Sequence, residues 1–143
     1  MKCGTTMLAM SLTSLLIAGA APARSADLTL LLAARSGGGR IAVAVYGDAG
    51  AFRRGEGAVR TLMAPRTDAV TRVTLTGLAP GRYAVAAFHD TDGDGRLSVW
   101  PIGLPKEAYG FSNNARGRFG PPAFDAAAFD LPAGGAHRAI RLR

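Results

Sequence analysis

The chain has 143 residues, a formal net charge of +7 and a single cysteine. This length predicts one domain with a hydrophobic core of its own, and one cysteine excludes a framework of internal disulfides. The positive charge comes mainly from arginines scattered along the sequence, without a basic run or the interleaved aromatic residues that stack on bases. Nucleic acid is therefore not an expected partner.

The first element in chain order is an export signal over residues 1–26. Lys2 precedes an uncharged apolar stretch at 7–21, and the small residues after it predict cleavage behind Ala23 or Ser25. The apolar stretch is shorter than the roughly 20 residues that a membrane span needs. A cleaved signal is therefore favoured over a retained membrane anchor.

The cysteine at position 3 does not suggest a lipid anchor. Cys3 precedes the apolar stretch, whereas the acylated cysteine of a bacterial lipoprotein would follow it. The expectation is a periplasmic or secreted domain over residues 27–143 that does not span the membrane after the signal is removed.

Glycine and proline interrupt the rest of the chain about every ten residues, which indicates an all-β domain. Alternation of apolar and polar residues is typical of half-buried strands. Residues 48–58 are predicted to be a loop whose Phe52 packs on the sheet, and a short helix is predicted only within 124–129. Strands are predicted at 27–34, 41–47, 59–65 and 137–143, with a hairpin over 70–90 that turns at 78–81.

Residues 89–124 show little periodicity of either kind. Stretches of this length without secondary structure are uncommon in compact domains, and they often carry function. The segment is therefore predicted to be a long ordered insertion, and the site is sought within it.

Two sequence motifs resemble known families. "TGLAPGRYAVAAF" (76–88) resembles a hairpin of prealbumin-like β-sandwich modules. "FHDTDGDGRL" (88–97) followed by "GLPKEAYGFSNNARGRFGPPAF" (103–124) resembles the bacterial family Domain of Unknown Function 2141. The resemblance implies an exported, transthyretin-like Greek-key β-sandwich of about seven strands, and it implies no reaction. One departure is Ser98, where that family usually has an acidic residue.

The acidic stretch is interpreted first as a Ca²⁺ loop. Carboxylates at alternating positions, a glycine at the sixth and a carbonyl ligand at the seventh are typical of an EF-hand loop, and the chain has Asp90, Asp92, Asp94, Gly95 and Arg96 at these places. An EF-hand is excluded because a strand precedes the loop and Pro101 replaces the bidentate glutamate. Glu107 supplies the missing carboxylate if the insertion folds back.

The alternative interpretation needs no metal. The acids of the insertion are matched in number by its basic residues, so that they can form ion pairs among themselves. The bases are Arg96, Lys106, Arg116 and Arg118. The sequence leaves Ca²⁺ and ion pairing as open alternatives.

The motif "GFSNNARGRFGPP" (110–122) is interpreted in two ways. In the functional interpretation it is a partner surface formed by Asn113, Asn114, Arg116 and Arg118, with the arginines as bidentate donors to an anionic group. In the structural interpretation the asparagines cap backbone groups or adopt left-handed conformations. Three phenylalanines then anchor the segment to the sandwich: Phe111, Phe119 and Phe124.

Catalytic signatures are weak in this sequence. His89 follows an apolar strand and is interpreted as a hydrogen-bonded histidine at a strand end rather than as a base. The prediction is a non-enzymatic binding or structural module of the cell envelope, with an envelope protein or an anionic glycan as partner and Ca²⁺ as its candidate ion. The alternative is a hydrolase of envelope glycans or peptides that uses carboxylates of the insertion.

Overall fold

A computed structural model describes residues 24–143, and the predicted export signal up to residue 23 lies outside the described residues. The described part contains eight strands, two short helices and a single 3₁₀ turn at Ser112–Asn114. The elements are β1 (Ala26–Ala33), β2 (Arg40–Tyr46), α1 (Ala49–Arg54), β3 (Arg60–Pro65), β4 (Val70–Leu78), β5 (Gly81–Asp90), β6 (Tyr109–Phe111), α2 (Phe124–Ala127), β7 (Phe129–Leu131) and β8 (Ala136–Arg141). In this part of the chain no helix is long and apolar enough to cross a membrane.

The strands form two sheets, which confirms the predicted all-β sandwich. The first sheet has the order β4-β1-β8, with β1 antiparallel to β4 and parallel to β8. The second sheet has the order β3-β2-β5-β6, and β7 pairs with the first residues of β5. β5 is thus a central strand, as its apolar residues on both faces predict.

The core lies between the two sheets because each contributes one apolar face. Leu28, Leu30 and Leu32 of β1 are fully buried, and they share a cluster with Ile41 and Val45 of β2. Alternate residues of β4 are exposed, as a strand with one wet face requires. This packing places β5 across the middle of the second sheet and carries its end, Asp90, to the edge where the insertion begins.

The predicted hairpin over 70–90 is wrong in its pairing. β4 pairs with β1 in the first sheet, whereas β5 pairs with β2 in the second. The turn at 78–81 therefore carries the chain from one sheet to the other. Alternation identifies the buried face of each strand, but two strands facing each other across a core show the same alternation as two paired strands.

The segment predicted to be a loop at 48–58 contains helix α1. Asp48 caps its start by accepting a hydrogen bond from the Ala51 amide (2.9 Å), and Gly55 ends it in the left-handed conformation. Phe52 is buried against Tyr46 at a ring-centroid distance of 5.6 Å. The predicted packing of Phe52 on the sheet is confirmed, and the short α2 agrees with the predicted helix.

The insertion is more regular than its sequence predicts, because β6 lies inside it. β6 adds to the edge of the second sheet beside β5. The backbone of Tyr109 also exchanges two hydrogen bonds of 3.0 Å with that of Arg143, which follows β8 of the first sheet. The insertion thus joins the two sheets along one side of the sandwich.

Candidate functional site

The acidic loop begins at Asp90, which is completely buried at the end of β5. The loop then folds around the Asp90 carboxylate. The Gly93 amide donates to Asp90 Oδ1 (2.7 Å), and the Gly95 amide donates to Asp90 Oδ2 (3.0 Å). Both glycines have positive φ, 79° and 75°, a conformation that other residues rarely adopt. The alternation of aspartate and glycine is therefore what allows the loop to wrap around one carboxylate.

Glu107 holds the loop to the start of β6. It is 7% exposed, and its Oε1 accepts hydrogen bonds from the Thr91 amide (2.8 Å) and the Thr91 hydroxyl (3.1 Å). Its Oε2 accepts one from the Ser98 amide (3.1 Å). One carboxylate thus connects the two ends of the loop 91–98.

Three carboxylates meet at this point. One oxygen each from Asp90, Asp92 and Glu107 lies within 4.8 Å of the others. Asp94 lies outside this group, and its Oδ1 accepts a hydrogen bond from the Arg96 amide (2.7 Å). The fold-back of the insertion thus brings Glu107 to the loop, whereas Asp94, the third aspartate of the sequence motif, lies beside Asp92 but outside the group of three.

Ion pairing does not neutralise the group. Within residues 24–143 the single ion pair joins Arg82 to Asp125, at 2.9 Å, and both side chains are largely exposed. The ion pairs that the alternative interpretation requires, between the acids of the insertion and its basic residues, are therefore not formed among these residues. Lys106 instead places its Nζ 4.8 Å from the centre of the Trp100 ring.

The hydrogen bonds at Asp92 favour its ionised form. Asp92 Oδ1 accepts from the Asp94 amide (3.2 Å), and Oδ2 accepts from the Ser98 hydroxyl (3.2 Å). The backbone hydrogen bond from Asp94 is the main cause that lowers the pKa of Asp92 below its usual value.

This pKa shift predicts an acid-dependent loosening of the loop. A carboxyl whose pKa is lower in the folded state contributes stability above its unfolded pKa, about 3.9 for aspartate, and loses it as the pH falls through the folded pKa. We expect the melting temperature of Asp92→Asn to fall less than that of the unaltered chain when the pH is lowered from about 5 to about 2. The control is Asp130→Asn, an exposed acid on β7. Equal pH profiles for the unaltered chain and Asp92→Asn would contradict the prediction.

The donor set fits a hard cation. Two oxygens that bind one Ca²⁺ at about 2.3–2.6 Å lie at most about 5 Å apart, which matches the spacing of the three carboxylates. All three ligands are oxygens, and carboxylate sites select Ca²⁺ or Mg²⁺ over the softer metals that histidine and cysteine bind. Arg96, predicted to offer its carbonyl, belongs to the same loop, and its amide is hydrogen-bonded to Asp94.

The asparagines of the second motif hold the insertion in place. Asn113 and Asn114 have positive φ, 58° and 51°. Asn113 Nδ2 donates to the carbonyl oxygens of Ala128 (2.8 Å) and Ala126 (3.2 Å), and Asn114 Oδ1 accepts from the Arg141 amide (2.9 Å). Their amide groups therefore bind the chain's own backbone, as the structural interpretation predicts.

The arginines of the same motif remain on the surface. Arg116 and Arg118 are both exposed. Arg116 lines a shallow cavity of ≈ 270 Å³ together with Arg141 and Arg143, whereas Arg118 does not. Asn114 lines the same cavity, so one asparagine and one arginine of the predicted surface lie together there, whereas Asn113 and Arg118 do not line it.

Two of the three predicted aromatic anchors contact the sandwich. Phe111 and Phe124 pack on Phe52 at ring-centroid distances of 5.7 and 5.9 Å. Phe119 is fully exposed, so its predicted role as an anchor is wrong. It lies in the glycine- and proline-rich exit of the motif, where the chain leaves the sheet.

Comparison with known proteins identifies the family. The family described as "Uncharacterized protein conserved in bacteria (DUF2141)" matches residues 33–139, about three quarters of the chain. This chain belongs to the DUF2141 family. No curated protein and no solved structure matches it. The matched range contains the acidic loop, Glu107 and the asparagine motif.

Ser112 is a structural residue of this DUF2141 chain that sequence reasoning missed. It is completely buried, accepts a hydrogen bond from the Val85 amide (2.9 Å) and donates one to the carbonyl oxygen of Ala127. It therefore ties the 3₁₀ turn after β6 to β5 and α2. The only indication of this role in the sequence is that Ser112 lies between Phe111, a predicted anchor, and the two asparagines.

His89 is hydrogen-bonded on both ring nitrogens. Nε2 donates to the carbonyl oxygen of Gly38 (2.6 Å), which leaves Nδ1 to accept from the Ser36 hydroxyl (3.1 Å). The ring is completely buried. His89 thus fixes the loop before β2 against the end of β5, in agreement with the interpretation as a strand-end histidine.

Proposed function

We propose that this DUF2141 chain is an exported, non-enzymatic binding module of the cell envelope whose acidic loop binds Ca²⁺. The observation that carries the proposal is the convergence of Asp90, Asp92 and Glu107 without a basic side chain in ion-pair contact, among the residues that the structure describes. Asp90, Asp92 and Glu107 would hold the ion, which supplies positive charge and no chemistry of bond cleavage.

Electrostatics supports a cation at this position. Asp90 and Glu107 are 0% and 7% exposed, so both carboxylates have lost most of their contact with water. Backbone amides donate to them, but amides carry only partial charges, and ionised groups that close together repel one another. A divalent ion among the three carboxylates would offset most of their combined charge.

The hydrogen bonds of Glu107 link the proposed ion to the rest of the insertion. Because Glu107 binds both Thr91 and Ser98, an ion held by its carboxylate would restrain both ends of the loop 91–98. The partner surface proposed here is the exposed arginine side of the motif at 110–122, of which Arg116 faces the shallow cavity beside Arg141. Its guanidinium groups suit an anionic glycan or an acidic face of an envelope protein.

The test is a calcium titration of the full chain. Calorimetry should detect heat on addition of Ca²⁺, and the melting temperature should be higher in Ca²⁺ than in chelator, because an ion that binds only the folded state stabilises it. Asp92→Asn should abolish both signals. Because the Asp92 side chain is exposed, this variant should leave the domain folded.

A matched control lies two residues away. Asp94→Asn removes an acid from the same loop but outside the group of three, and it should keep the calcium response. Ser98→Ala should also have a smaller effect than Asp92→Asn. Absence of heat and of a melting shift at millimolar Ca²⁺ in the unaltered chain, or equal loss in Asp92→Asn and Asp94→Asn, would rule out this site.

No observation favours the hydrolase alternative. Both oxygens of Asp90 and of Glu107 accept hydrogen bonds from donors of the loop. Within residues 24–143, neither the cavity of ≈ 270 Å³ nor the larger one of ≈ 610 Å³ is lined by an acidic side chain. A carboxylate that acts on a glycan or peptide needs open access to its substrate.

A further inference from the structure

A small hairpin projects from the acidic loop and ends in apolar side chains. Val99 and Pro105 form an antiparallel bridge, and the Trp100 amide donates to the Leu104 carbonyl oxygen (2.7 Å). Four large apolar residues at its end are more than half exposed; we call them the apolar tip. They are Val99 (51%), Trp100 (54%), Ile102 (79%) and Leu104 (59%).

Part of the backbone of this hairpin is hydrogen-bonded internally. Pro101 and Pro105 have no N–H group, and the Gly103 amide donates to the Trp100 carbonyl oxygen (2.8 Å). The Lys106 amide closes the hairpin by donating to the Ser98 carbonyl oxygen (2.8 Å). Backbone polar groups that are paired internally lower the free-energy cost of moving a segment into a lipid interface.

Lys106 is the single charged side chain within the hairpin, whose base at Ser98 is hydrogen-bonded to the carboxylates of Asp92 and Glu107. Residues 97–106 contain no acidic side chain, and Lys106 lies with its Nζ over the Trp100 ring. The whole chain has a formal net charge of +7, and two of its basic residues, Lys2 and Arg24, lie in the predicted export signal. Tryptophan and lysine side chains are enriched where proteins meet the headgroups of a bilayer, and basic side chains are attracted to anionic lipids.

We infer that the apolar tip inserts into the surface of a lipid bilayer that contains anionic lipids. The four side chains of the tip are more than half exposed and line neither of the two cavities described above, whereas a site for a small ligand would be concave. Three exposed aliphatic side chains and an aromatic one share this hairpin, with the Lys106 cation over the aromatic ring, a combination that suits the boundary between headgroups and acyl chains. The inference depends on the hairpin alone and does not require the proposed calcium site.

The chain carries its own probe for this inference, because Trp100 is its single tryptophan. The full chain is mixed, in chelator, with vesicles of phosphatidylcholine and phosphatidylglycerol. We expect the Trp100 emission to shift to the blue and to be quenched by brominated acyl chains. Binding through any other part of the protein, including residues 1–23, would not place Trp100 among the acyl chains.

Two variants retain the tryptophan and remove its neighbours. Ile102→Ser together with Leu104→Ser should weaken the partition measured by Trp100 quenching by at least about tenfold, because apolar burial drives insertion. Lys106→Gln should weaken binding on anionic vesicles and leave binding on pure phosphatidylcholine unchanged. Phe119→Ser is the matched control, since it removes a fully exposed phenylalanine outside the tip, and it should leave the quenching unchanged.

Three outcomes would overturn the inference. One is an unchanged Trp100 spectrum at saturating lipid. Another is quenching of Trp100 by brominated acyl chains that Ile102→Ser and Leu104→Ser do not weaken. The third is a blue shift without lipid that rises with protein concentration, which would show that the tip is covered by a second copy of the chain.

Discussion

Glu107→Gln is expected to lower the free energy of unfolding by about 2 kcal/mol in chelator, because one hydrogen bond to a charged acceptor is lost and an amide N–H₂ faces the Ser98 N–H. Glu107 accepts hydrogen bonds from Thr91 and Ser98 and is 7% exposed, so water cannot easily replace it. In excess Ca²⁺ the difference in unfolding free energy between the unaltered chain and Glu107→Gln should widen to about 5 kcal/mol. The reason is that an ion present at about 100 times its Kd adds about 2.7 kcal/mol to the stability of the unaltered chain alone.

The measurement is denaturant unfolding of both proteins in chelator and in Ca²⁺. Asp94→Asn serves as the control because it removes one negative charge from the same loop at an acid that lies outside the three convergent carboxylates. If the difference in unfolding free energy is the same in chelator and in Ca²⁺, Glu107 does not bind the ion, and its hydrogen-bonding role still stands. No destabilisation in chelator would argue against that role.

Ser112→Ala is expected to destabilise the domain by about 3 kcal/mol, because it leaves two buried backbone groups without their partner. The Ser112 hydroxyl accepts from the Val85 amide and donates to the Ala127 carbonyl oxygen, and the residue is completely buried. Val85 lies in the central strand of the second sheet, so the loss affects the strand that also carries Asp90.

Two measurements separate this local effect from a general one. Denaturant unfolding gives the loss of stability, and amide hydrogen exchange should show faster exchange at Val85 than at its neighbours in β5. Ser98→Ala, which removes a hydroxyl that contacts an exposed aspartate, should change stability by less than about 1 kcal/mol. If Ser112→Ala has an effect as small as Ser98→Ala, the buried hydroxyl does not link β5 to α2.

The two substitutions act on opposite ends of one segment. Glu107 fixes the acidic loop just before β6, and Ser112 fixes the turn just after it. Between them, the backbone of Tyr109 pairs with β5 and with Arg143. We therefore expect the insertion to behave as an integral part of the sandwich rather than as a mobile loop.

Local pattern in the sequence was sufficient for most of the strands. Ile41, Val43 and Val45 alternate with smaller residues and are buried on one face of β2, as predicted. The same reasoning failed for β6, because three residues are too few to show a period of two. It failed for α1 because a helix of one and a half turns carries no distinguishable apolar stripe, only the capping pair Asp48 and Gly55.

Pairing between distant residues could not be read in the same way. The sequence indicated that the acids of the insertion equal its bases in number, but the structure shows hydrogen bonds from amides at Asp90 and Glu107 instead of ion pairs. An amide donor is present at every residue except proline, so a loop can satisfy its carboxylates with its own backbone in a way that composition does not reveal.

By itself the sequence determined the all-β class, the family motifs and the three aspartates of the loop, because alternation and turn residues act over a few neighbouring positions. Only the tertiary structure decided which carboxylates meet. Asp94 is two residues from Asp92 and lies outside the group, whereas Glu107 joins it from beyond the apolar tip. The physical reason is that β6 adds to the edge of β5, which returns the chain to the end of the strand where Asp90 lies.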